Sequence, residues 1–134
     1  MKDSKKVLFL LYLFVILSII DCLTKYRKCI ISHPEMICEI LLHRLINIFA
    51  YFAWIFDNKI ILIFYIIFMI ALIIHWSTNN WECILTKYEN KVCKFNKNAR
   101  YDYFFIIFDE KTASFITIII KIVILIIILK KLFL

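Results

Sequence analysis

Two histidines, a set of cysteines and a few acids are the residues of this 134-residue chain whose types could do chemistry. His43 and His75 stand inside apolar stretches. A neutral imidazole there could ligate haem or a metal ion, with Glu82, Cys83 or Glu89 as a further ligand. Their spacing gives them a common depth. His43 lies 15 residues before Asn58 and His75 lies 17 after it, around the polar turn Asp57-Asn58-Lys59. If both arms are helical, each histidine sits roughly 22–25 Å from the turn, so the two reach the same membrane face. Arg44 and Trp76 arrive with them. The segment that follows, Trp81-Glu82-Cys83-Ile84-Leu85-Thr86-Lys87-Tyr88-Glu89-Asn90, starts at that face. At about 100° per residue, Ile84, Leu85, Tyr88 and Val92 share one side of a helix there. Cys83, Thr86, Asn90 and Cys93 share another, with Glu82 and Glu89 beside them, and Lys87, Lys91 and Lys94 form a solvent or headgroup strip. This amphipathic helix is expected to lie flat on the membrane, capped by Asn79 or Asn80, with its Cys/Thr/Asn side toward the histidines.

A plainer reading gives the same residues a structural role. Polar groups at membrane depth need partners, so His43, Arg44, His75, Trp76, Glu82, Cys83, Thr86, Glu89 and Asn90 can form a hydrogen-bonded cluster with no chemistry. The sequence contains no phosphate loop, no strong metal motif and no evident nucleophile–base pair. The cysteines are Cys22, Cys29, Cys38, Cys83 and Cys93. Four crossings would place all of them on one face, which suggests disulfides if that face is oxidising. Cys29–Cys38 is the easiest pair. Cys83–Cys93 is disfavoured, because ten helical residues separate the two by about 15 Å. No Cys-x-x-Cys occurs, so thiol oxidoreductase chemistry is poorly supported.

The elements that must hold these residues are hydrophobic helices. The chain is 64% hydrophobic with a mean hydropathy of +0.88, well above the composition of a soluble domain, and its apolar residues come in blocks rather than at a half-buried period. It has no glycine and a single proline, Pro34, which argues against hairpin-rich sheets. Spans are expected at about 7–23, 40–56, 60–76 and 115–131 of one membrane domain, 1–134, with 77–114 as an interfacial and loop region. The first is read as a retained helix, since no small-x-small cleavage site precedes Asp21 and Cys22. Ser32 or His33 with Pro34 marks the start of the second. The three-residue turn makes the middle pair a helical hairpin. The aromatic run at 103–108 is too short to span and is expected at the interface. Lys121 interrupts the last span and is expected to snorkel or to face the bundle.

The net charge of +7 fits anionic lipid headgroups. Nucleic acid is not expected, for there is no zinc-finger spacing, aromatic RNA-binding signature or separate basic domain. Basic residues divide between the faces: Lys25, Arg27, Lys28 and the 87–111 loop on one, Lys2, Lys5, Lys6, Lys59, Lys130 and Lys131 on the other. Total charge favours the cysteine face as cytoplasmic, whereas the short flanks point the other way, and the balance is read as a cytoplasmic N-terminus.

The residues Cys83, Leu85, Thr86 and Glu89, followed by Asn90, together with His43, His75 and Trp76, resemble a family of small membrane proteins of unknown function from bacteria and large DNA viruses. Its members carry histidines at helix ends followed by Cys-x-Leu-Thr-x-x-Glu. The resemblance covers roughly residues 40–110. This chain departs from the bacterial form in having Ile84 where proline is usual, and no glycine downstream. The resemblance implies a helical membrane fold, in a virion or host membrane if the chain is viral, and no known activity.

The expectation is therefore an all-α integral membrane protein. It has about four transmembrane helices, a central hairpin and an amphipathic interfacial helix, and acts without a cofactor in membrane structure or assembly, alone or in an oligomer. The alternatives are a haem or metal binder using His43 and His75, and a small ion channel or transporter resting on Lys121 and Arg44.

Overall fold

A computed structural model describes the backbone of residues 3–80, 82–95 and 110–134. The interfacial placement expected for 103–108 and the helix start expected at Trp81 lie outside the described residues. All regular structure among the described residues is helical. In chain order the helices are α1 (Asp3–Leu23), α2 (Arg27–Ser32), α3 (Met36–Phe52), α4 (Lys59–Thr78), α5 (Ile84–Val92) and α6 (Glu110–Phe133), and a single 3-10 turn, Ala53–Ile55, extends α3.

Three helices, Asp3–Leu23, Met36–Ile55 with its 3-10 extension, and Lys59–Thr78, are long and apolar enough to cross a membrane. Each rises about 30 Å, the thickness of a bilayer's hydrocarbon core. Their outward surfaces are apolar to a degree that water would not tolerate: Leu8 and Tyr12 on α1 are each 67% exposed, and Ile60, Phe64, Ile67 and Ile74 on α4 are also exposed. A soluble monomer rarely leaves such continuous apolar surface open.

Sequence dictates where the helices begin and end. Asn58 caps α4, its side-chain carbonyl accepting from the Ile60 N–H at 2.9 Å and the Ile61 N–H at 3.4 Å. Ser32 and His33 do not start α3. They close the short helix α2, and α3 starts at Met36, two residues beyond Pro34. The polar connector expected at 24–39 thus holds a helix of its own. Neither Asn79 nor Asn80 caps α5. Asn79 ends α4, its amide donating to the His75 carbonyl at 2.9 Å, and the cap position of α5 is Cys83. Helix exits commonly need a left-handed residue, usually glycine. In a chain without glycine, Asn80 (φ 55°) and Lys94 (φ 53°) take that conformation after α4 and α5.

Two cores result. In one, Leu62, Tyr65 and Met69 of α4 pack with Ile124 and Ile128 of α6 and with Ala53 and Phe56. Phe49 of α3 meets Phe64, Tyr65 and Phe68 edge-on or tilted, and the Tyr65 hydroxyl donates to the Ala50 carbonyl at 2.8 Å. The smaller core lies at the connector end, where Tyr26, Cys29, Met36 and Ile40 bury against Val92, Cys93 and Phe95. Lys121 faces inward: its ammonium sits 4.0 Å from the Trp76 ring centroid and 5.8 Å from that of Tyr51.

Candidate functional site

The site forms where the 24–35 connector and α5 close over the start of α3. Glu89 is its centre. Its side chain is 2% exposed, unusual for an acid unless it is paired. One carboxylate oxygen lies 2.6 Å from His43 Nδ1. The other accepts from the Tyr26 hydroxyl at 2.6 Å, and Lys25 Nζ stands 4.0 Å from it. Lys25 in turn donates to the Tyr26 hydroxyl at 2.5 Å and lies over the Tyr26 ring, 4.2 Å from its centroid. One buried carboxylate thus joins three parts of the chain. Burial pushes the Glu89 carboxyl up, but the hydrogen bond and charge of His43, the Tyr26 hydroxyl and Lys25 outweigh it and hold the group below its ordinary range. An ionised carboxylate can only accept, so His43 Nδ1 carries the proton of that bond.

A covalent clamp holds the lid. Cys29 of α2 is disulfide-bonded to Cys93 at the end of α5, with Cα atoms 5.0 Å apart across a sequence separation of 64. The expected Cys29–Cys38 bond does not form. Cys29 points into the smaller core, whereas Cys38 is an exposed free thiol on α3, and Cys22 and Cys83 are also free. The sequence favoured the shortest loop; the fold instead brings the end of α5 onto α2.

Cys83 is the second reactive group. It stands at the cap of α5 and lines the same small cavity as His43. Burial pushes its thiol up, yet hydrogen bonding to His43 and to the backbone N–H groups of Thr86 and Leu85 brings it below the ordinary thiol value.

The other expected members of the cluster go elsewhere. His75 Nε2 accepts the Ile84 N–H at 3.2 Å, which commits that nitrogen to positioning α5. Arg44 pairs with Asp21 at the end of α1. Trp76 receives Lys121. Glu82 makes a half-exposed pair with Lys87 at 3.6 Å. Thr86 and Asn90 are half-buried on α5. The two histidines therefore hold α5 through separate bonds rather than forming a joint ligand pair. The His, Cys, Asp and Glu group that does converge among the described residues is Glu39, His43 and Glu89, with ligand atoms within 4.8 Å of one another. A cation there would have to displace the His43–Glu89 hydrogen bond.

Asp21, Lys25, Tyr26 and Glu39 were not among the site residues read from the sequence. Asp21 had a signal: it is the one acid at the end of the first apolar stretch, at the face where Arg44 opens the next, and membrane-depth charges seek each other. Tyr26 had none. Compared with known proteins, this chain matches no family model, no curated protein and no solved structure.

Proposed function

We propose that this chain is a four-span integral membrane protein with a structural or assembly role, which holds a disulfide-clamped cap on one face of the bilayer. The carrying observation is the opposite end of the bundle. Asp57, in the turn between α3 and α4, pairs with Lys6 of α1 and with Lys131 of α6 at 2.8 Å. Lys131 also donates to the Trp54 and Phe56 carbonyls at 2.9 and 3.1 Å. The start of α1, the 56–58 turn and the end of α6 therefore share one end, while Asp21, Arg44 and α5 share the other. The 24 residues of α6 rise about 36 Å, enough for a fourth crossing. Contacts between α3 and α4 that descend in register, Ala50 with Tyr65 and Phe49 with Phe68, support the hairpin.

Lys5, Lys59 and Lys130 lie toward the Asp57 end, and the disulfide belongs to an oxidising compartment, so the Asp57 end faces the cytoplasm and the cap faces away from it. Glu89, at one end of the Cys-x-Leu-Thr-x-x-Glu segment, bonds His43, and Cys83, at the other, lines the same small cavity as His43, which supports reading that segment as a unit. The two-histidine cofactor reading loses ground because His75 Nε2 is occupied by the Ile84 N–H. Topology is tested by a membrane-impermeant maleimide on sealed cells. Cys38 is labelled from outside on this reading; labelling only after permeabilisation overturns the orientation.

A further inference from the structure

We propose that Glu39, His43 and Glu89 form a binding site for a divalent transition-metal ion, Zn²⁺ foremost, which ties α5 to α3. This goes beyond the structural role. Three observations carry it. First, the donors converge. One oxygen of each carboxylate and one nitrogen of the imidazole lie within 4.8 Å of one another. Glu39 and His43 are four residues apart on α3, so they share a face one turn apart, and Glu89 meets them from α5. Second, both oxygens of the Glu39 carboxylate are buried, and neither has a hydrogen-bond partner among the described residues. A buried carboxylate left this way is costly, and a bound ion is one of the few groups that satisfies it. Third, the other carboxylate is already aimed. Tyr26 donates to one Glu89 oxygen at 2.6 Å and Lys25 stands 4.0 Å from it, which leaves the second oxygen toward His43. Outer partners of this kind orient a ligating carboxylate.

The chemistry of the donors selects the ion. One imidazole with two carboxylates suits Zn²⁺ and its neighbours in the first transition row, whereas an all-oxygen set suits Mg²⁺ or Ca²⁺. Zinc takes nitrogen and oxygen ligands at about 2.1 Å, which sets two donors about 3.4 Å apart in a tetrahedron. His43 Nδ1 and Glu89 stand closer than that, at 2.6 Å. The ion therefore takes the place of the proton between them, the pair opens by about 1 Å, and the Glu39 carboxylate closes in. Two carboxylates balance the divalent charge, and the ion relieves the repulsion between them. Lys25 keeps the other oxygen of Glu89. His75 takes no part, since its Nε2 holds the Ile84 N–H. The fourth position is left to water.

The ion is a second clamp on the cap. The disulfide fastens α5 at Cys93, and the ion fastens it at Glu89, one turn earlier. Docking of α5 on α3 then responds to metal.

The test uses the full chain in detergent at neutral pH, with Cys22, Cys38 and Cys83 replaced by serine so that free thiols do not capture the ion. Equilibrium dialysis against Zn²⁺ should find one tightly held ion per chain. The thermal unfolding midpoint should rise by on the order of 10 °C at a zinc concentration a hundred times the dissociation constant. Mg²⁺ at the same concentration should give no such rise. E39Q and E39A should each keep the Cys29–Cys93 bond and keep or raise the metal-free midpoint, because loss of Glu39 strands no partner. Both should weaken zinc binding by at least about 10–100-fold. No zinc-dependent rise in the parent, or the same rise in either Glu39 variant, overturns the assignment. An equal rise with Mg²⁺ overturns the choice of ion. Zinc binding is read in detergent and the side of the membrane by maleimide labelling, so this site and the topology fail separately.

Discussion

The two ends of the bundle are both tied by charge, but in opposite ways. At the connector end, Glu89 is 2% exposed and shares two bonds of 2.6 Å with His43 and Tyr26. At the turn end, Asp57 is 66% exposed and pairs directly with Lys6 and Lys131. The groups are of the same kinds; burial separates them. A buried charge that loses its partner keeps its desolvation cost. An exposed one is rehydrated and screened by salt. The turn end therefore registers the helices, whereas the connector end fixes a site.

Breaking that contrast should give graded effects. Glu89→Ala should cost the most, about 3–5 kcal/mol, because it strips Tyr26, Lys25 and His43 of their common acceptor. Thermal unfolding in detergent measures it. Cys93→Ser, or reduction of the parent, should cost about 2–4 kcal/mol by the same method, since the bond closes a long loop. Lys94→Gly should stabilise by about 1 kcal/mol, glycine relieving the left-handed backbone at that position. Asp57→Asn should have the smallest effect, and added salt should erase it, while leaving the Glu89 effect in place.

Acid gives the same contrast a pH axis. Hydrogen bonds from Lys131 and Lys6 hold Asp57 down at about 2, against an ordinary 3.8. A depressed carboxyl contributes stability that is whole above its unfolded value and is lost as pH falls through the folded one. The Lys6–Asp57–Lys131 contribution should therefore persist above pH 3.8 and fade toward pH 2. Glu89, also held below its ordinary 4.5, should follow the same sign, with loss of the connector-end site on acidification. Melting curves of parent and Glu89→Gln protein should converge at low pH; curves that stay apart would deny the linkage.

Much of the architecture was legible in composition. Blocks of Ile, Leu and Phe marked the long helices, and the polar run Asp57-Asn58-Lys59 marked the break between α3 and α4. What escaped were pairings set by tertiary geometry. The disulfide could not be read from loop length, because α5 folds back over α2. The His43–Glu89 bond could not be read from a motif, because it joins two helices that approach only once the connector is packed. Tyr26 and Lys25 sit in a short turn whose residues carry no periodic signal.

The docking of α5 over the start of α3 underlies both the cap and the site, and the disulfide reports it directly. Protein extracted from membranes with free thiols alkylated should be digested without reduction and its linked peptides mapped. The account predicts Cys29 joined to Cys93, with Cys22, Cys38 and Cys83 alkylated. Cys29 joined to Cys38, or Cys29 and Cys93 both alkylated, would contradict it.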